Sequence, residues 1–120
     1  MILIDASIWV DHLRSYVPRL ATLLDAREVL CHPFVIGELA LGNLPQRPVT
    51  LRLLAELPAA PTATDEEVLG LIERERLFGV GIGYVDAHLL ASTMLGAGTR
   101  LWSRDSRLHA VAERFGLASS

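Results

Sequence analysis

Residues 1–14 read MILIDASIWVDHLR, and one junction inside this stretch decides the fold. Ile2-Leu3-Ile4 is an unbroken apolar run that stops at the carboxylate of Asp5. Residues 2–5 read as a strand, short and apolar enough to be buried in a sheet. Ser7 then opens an amphipathic stretch, SIWVDHLR, with Ile8 and Val10 apolar and Asp11, His12 and Arg14 polar. The question is why a buried segment should end on an acid.

The rest of the chain repeats the alternation. Residues 17–26 read as a helix with Leu20, Leu23 and Leu24 on one side, and Glu28 to His32 as a second short strand. Pro33 suits a first helical position, and PFVIGELALGN continues as a helix closed by Gly42-Asn43. Pro45 and Pro48 mark a loop before a leucine-rich helix over 49–57. PAAPTATD is a second loop, and Thr64 with Glu67 forms a capping box for a helix running to about Leu77. Gly79, Gly81 and Gly83 punctuate the next turn. YVDAHLLASTMLGAG is apolar nearly all round and reads as a central, buried helix. TRLWS is a strand. DSRLHAVAERFG is a last helix, with Leu108, Val111, Ala112 and Phe115 at i, i+3, i+4, i+7 spacing. Gly116 caps it, and Leu117-Ala118 adds a short strand.

Strands alternating with helices imply right-handed crossovers and an α/β fold, a central parallel sheet covered on both faces. The 120 residues suit one domain, 1–120, with no repeat or long linker. Hydrophobic content is 51% and mean hydropathy +0.35, yet no stretch approaches roughly 18 apolar residues, so no membrane span is expected. The surplus apolar surface points to a protein partner, a second copy or another chain. No signal peptide is visible, and a lone cysteine, Cys31, forms no internal disulfide, so the cytoplasm is the expected compartment. Net charge is −3, and all eleven basic residues are arginine. The lack of lysine excludes lysine-dependent chemistry.

In a parallel sheet the ligand site lies beyond the carboxyl ends of the strands. Asp5 ends the first strand and Asp105 follows TRLWS by one short turn, so both emerge at one sheet edge. Glu38 sits among apolar residues in FVIGELALG, and Asp86 in the first turn of the central helix. Each has an ordinary reading. Asp5 and Asp105 suit helix caps, Asp86 complements a helix dipole, and Glu38 suits a solvent-facing position. Together, four converging carboxylates repel one another unless they take up protons or share a cation. Oxygen ligands without Cys or an obligate His suit Mg²⁺ or Mn²⁺, and the implied chemistry is phosphodiester hydrolysis.

The pieces IDASIWVD, GELALG, YVDAHLLAS and LWSRDSRL, in this order across nearly the whole chain, resemble the PIN-domain family, specifically its VapC-type toxins. The resemblance implies a three-layer α/β/α sandwich and a magnesium-dependent endoribonuclease that homodimerises and is inhibited by a cognate VapB-type antitoxin. By position it makes Asp5, Glu38, Asp86 and Asp105 the metal-binding and catalytic acids, with Asp5 and Asp86 foremost as magnesium ligands. Ser7 and Ser103 then hold carboxylates or a metal-bound water. Ala6 departs from the family in standing where a hydroxyl residue is common.

Other residues have plainer readings. Asp86 and His88 lie two apart on a helix and do not share a face. Cys31, Trp9 and Trp102 read as packing residues. Arg100, Arg104 and Arg107 cluster around Asp105, on a solvated rim or against RNA phosphates. A receiver domain and a P-loop domain both need a lysine, and a haloacid-dehalogenase-type phosphatase needs an Asp where Ser7 stands. The remaining alternative is a catalytically silent PIN-like module that binds RNA or protein.

Overall fold

A computed structural model describes all residues, Met1–Ser120. Four strands, β1 (Ile2–Ile4), β2 (Val29–Leu30), β3 (Arg100–Trp102) and β4 (Ala118–Ser119), form one parallel sheet in the order β2-β1-β3-β4. Seven helices connect them: α1 (Ala6–Ser15), α2 (Pro18–Asp25), α3 (Pro33–Ala40), α4 (Arg47–Glu56), α5 (Asp65–Glu75), α6 (Tyr84–Leu95) and α7 (Ser106–Arg114). This is the expected α/β fold. The chain leaves β1 toward one side for β2 and later returns to β3 on the other. The β1–β3 gap is therefore the switch point of the sheet, where ligands of open parallel sheets bind.

β1 is central. Leu3 and Ile4 are fully buried, and Ile2, Leu3 and Ile4 pair with Arg100, Leu101 and Trp102. The strand ends one residue earlier than the sequence suggests, at Ile4. Asp5 is the N-cap of α1 and still ties back to the sheet, its N–H donating to the Trp102 carbonyl at 3.0 Å. α2 lies over β3 and β4, where Arg19 stacks on the Trp102 ring and donates to Ser119 Oγ. Trp9 and Trp102 belong to the core, as does Cys31. Beyond β2, Cys31 makes a parallel bridge to Ala59, giving its N–H to the Pro58 carbonyl and accepting from the Ala60 N–H.

α6 justifies its all-round apolar pattern: every residue from Ala87 to Thr93 is buried. Thr93 survives there by donating its hydroxyl to the Leu89 carbonyl at 2.7 Å. α5 starts with the full capping box: Thr64 N–H bonds Glu67 Oε1, and Glu67 N–H bonds Thr64 Oγ1. Its charged face over Glu66, Glu67, Glu73 and Arg74 is exposed. Pro48, expected in the loop, lies inside the first turn of α4, where a missing N–H costs nothing. No helix is long and apolar enough to cross a membrane.

Truncating the centre of this core is expected to be costly. Leu90→Ala should lower unfolding free energy by about 3 kcal/mol, and Thr64→Ala by about 1 kcal/mol, in denaturant titrations. A Leu90→Ala loss no larger than the Thr64→Ala loss would contradict the central place of α6.

Candidate functional site

The site forms where β1 and β3 end side by side. Asp5 is 7% exposed. Its Oδ2 accepts two hydroxyl hydrogen bonds, from Ser7 Oγ and Ser103 Oγ, both at 2.7 Å. Ser7 is in the first turn of α1 and Ser103 directly follows β3, so one carboxylate oxygen joins two strands' exits. The same hydroxyls serve as acceptors in turn. Ser103 Oγ takes the Asp105 N–H and Ser7 Oγ takes the Arg104 N–H, each at 3.0 Å. The 103–105 turn is thereby fixed against β1. Arg104 reinforces it through its Nε, 2.7 Å from Asp11 Oδ2.

Asp105 caps α7, its Oδ1 accepting from the Arg107 and Leu108 N–H groups at 3.0 Å each. Asp86 stands in the first turn of α6, and its Oδ2 accepts the Gly83 N–H at 3.0 Å. The two capping readings of the sequence are therefore real. They do not use up the acids. Asp5, Asp86 and Asp105 each spend one carboxylate oxygen on the protein and leave the other without a protein partner. The free oxygens of Asp5 and Asp86 are open to solvent. Glu38, on α3, makes no hydrogen bond and is exposed at its surface.

Glu38 and Asp86 each feel the charge of two other acids. Glu38 has its pKa raised, first by protein atoms crowding its carboxyl and then by the charges of Asp5 and Asp86. Asp86 is raised first by burial, against the lowering bond from Gly83, and also by the charges of Asp5 and Asp105. All four thus fall within one electrostatic neighbourhood at the carboxyl end of the sheet. As the side chains stand, no three His, Cys, Asp or Glu groups close around a common point. Mutual repulsion favours this splay. The donor set suits a hard cation: three anchored carboxylates each present a free oxygen, and Glu38 presents both of its own.

A second cluster, unforeseen in the sequence, lies beside the first. His88 has a side chain only 3% exposed, and its Nε2 lies 3.0 Å from Asp65 Oδ1, which also accepts the Tyr84 hydroxyl at 2.7 Å. These bonds hold the Asp65 carboxyl below its usual range, Tyr84 first and His88 second. Phe34 and Tyr84 both meet the His88 ring edge-on, with centroids 4.7 Å apart. His32 caps α3, its Nδ1 accepting the Phe34 N–H. The i, i+4 spacing of Tyr84 and His88 was a visible signal. Their partner Asp65 lies 23 residues from His88 and could not be read from spacing. His88 faces away from Asp86, as two-residue separation on a helix requires.

No protein-family model matches the sequence. Two curated proteins do. Over 118 residues the chain is 52% identical to Ribonuclease VapC32 of Mycobacterium tuberculosis strain CDC 1551 / Oshkosh, covering 98% of this chain and 95% of that one. The same protein from strain ATCC 25618 / H37Rv gives the same identity and coverage.

The acid cluster carries a pH signature. A carboxyl whose folded pKa is raised binds more protons folded than unfolded, so stability falls as pH rises through the interval between the unfolded and folded values. Without divalent cations, Glu38→Gln should therefore melt higher than the wild type at neutral pH. The gap should shrink as pH falls through the raised pKa toward the ordinary carboxylate value. Thermal melts across that range check this, and a gap independent of pH would contradict it.

Proposed function

The chain belongs to the VapC ribonuclease family, and from this membership and the acidic site we propose a toxin that cleaves RNA as a magnesium-dependent endoribonuclease. The observation that carries the proposal is the mutual electrostatic reach of Asp5, Glu38, Asp86 and Asp105 at the switch point, with free oxygens on all four. Asp5 and Asp86 are the principal magnesium ligands, completed by Asp105 and Glu38. When bound, Mg²⁺, or Mn²⁺ in its place, supplies positive charge at the scissile phosphate and acidifies the attacking water.

The chain's own groups do the positioning. Ser7 and Ser103 fix the Asp5 carboxylate by holding Oδ2, which aims Oδ1 outward. The Gly83 N–H does the same for Asp86, and the first N–H groups of α7 for Asp105. Glu38 is the acid no hydrogen bond restrains, and its proton affinity is raised. It is suited to take the proton of the attacking water at its carboxylate. The retention of all four acids and both serines disfavours the silent-module alternative.

The partner of the toxin is a VapB-type antitoxin. A cavity of about 670 Å³, lined by Val10, Leu13, Arg14, Leu39 and Leu44, opens beside Glu38. A second, of about 430 Å³, continues past Leu13 to Trp9, Leu24 and Leu54. An apolar antitoxin segment suits this path, with an arginine placed among the carboxylates as a substitute cation. Homodimerisation is part of the same reading, supported by exposed Leu41, Leu69, Phe78 and Leu95.

Incubation of total RNA with the protein, followed by mapping of cleavage ends, tests the proposal. Cleavage should require Mg²⁺ or Mn²⁺, stop with a chelator, and be lost in Asp5→Asn while the fold survives. Cleavage that persists unchanged in both Asp5→Asn and Asp86→Asn would overturn the assignment. Ser103→Ala should cost roughly ten- to a hundredfold in rate or magnesium affinity, as loss of a group orienting a ligand does.

A further inference from the structure

Three arginines follow or flank the β3 exit, and the structure separates them. Arg100 begins β3, at the opposite edge of the sheet from the acids, and donates to the Ala118 carbonyl at 3.2 Å. Arg104 is committed to Asp11. Arg107, in the first turn of α7, pairs with no carboxylate and its guanidinium makes no hydrogen bond.

The Arg107 side chain lies against the bare backbone of Gly81. A Cβ at position 81 would stand 2.6 Å from Arg107 Cδ, 2.9 Å from Nη1 and 3.0 Å from Nε. Gly81 also has φ +87°, a conformation that side chains rarely allow. The backbone conformation therefore favours glycine at 81, and the Arg107 side chain takes the space that a Cβ would fill. The seat is tied to the site at both ends. Gly83, two residues on, holds Asp86, and the Arg107 N–H is held by Asp105. An exposed guanidinium with free donors thus rests against the loop that leads to Asp86, on a helix turn capped by Asp105.

We propose that Arg107, seated on Gly81, binds a backbone phosphate of the RNA strand next to the scissile one. This rests on the ribonuclease reading and deepens it. A guanidinium offers planar, paired donors to phosphate oxygens. Beside carboxylates that repel a polyanion, a fixed cation at the rim recovers part of the attraction and sets the strand's register.

The test uses the Asp5→Asn protein, which leaves RNA intact, and a fluorescein-labelled random-sequence RNA oligonucleotide pool. Binding is measured over a range of NaCl with magnesium constant. Adding Arg107→Met should weaken binding about tenfold at low salt. It should also reduce the slope of log affinity against log salt by about 0.7, the value for one contact to a single strand. Arg107→Lys should keep the slope, because it keeps the charge. A merely structural arginine would leave the slope unmoved in both, and that result overturns the proposal. Total RNA left uncleaved by the unmodified protein with Mg²⁺ would overturn the ribonuclease reading and this inference together. Cleavage with an unchanged slope in Arg107→Met overturns this inference alone.

Discussion

The parallel pairing of β1 with β3 is the constraint on which the rest depends. It is only three residues long, but its register sets Ile4 beside Trp102, and so Asp5 beside Ser103. A slip of one residue would turn Leu3 and Ile4 to the wrong faces and carry the carboxylate away from the hydroxyl. The buried side chains that forbid the slip therefore also align the site. Core and chemistry share one set of contacts, and the acid at the end of an apolar run is held by the strand that buries it.

Charge is organised around that alignment in layers. Hydroxyls and backbone N–H groups hold one oxygen of each aspartate. The other oxygens are left free, and Glu38 and Asp86 have raised proton affinity, first from burial and then from neighbouring charges. Of the two arginines that follow β3, Arg104 is paired with Asp11, and Arg107 keeps its donors free against Gly81.

The sequence revealed the elements well because each has a local cause. The Thr64–Glu67 box, Pro33 at a helix start and the apolar wrap of α6 all appear as expected. Pro48 did not, because a proline reads alike before a helix and in its first turn. The first three strands are shorter than the reading by one, three and two residues, and the last is shifted by one. At β1 the cause is that an acid continuing a strand and an acid capping a helix look the same until hydrogen bonds are seen. Asp5, Asp86 and Asp105 stood out by their places at element junctions, Glu38 by its apolar neighbours, and Ser7 and Ser103 only through the family resemblance. Their anchoring did not, nor did the His88–Asp65–Tyr84 group, because both rest on side chains distant in the chain. The separate fates of the three arginines depended on which end of β3 each occupies, and on a glycine about 25 residues upstream of Arg107.

The segment 58–60 has a consequence for the molecule outside any cleft. By exchanging backbone hydrogen bonds with Cys31, it screens the open edge of the sheet just past β2. At the far side of the sheet, β4 is two residues long. Exposed strand edges are templates on which foreign chains add and fibrils grow. One border of this sheet is thus partly screened, and the other is a strand of two residues. So short a strand gives a foreign chain few backbone groups to pair with.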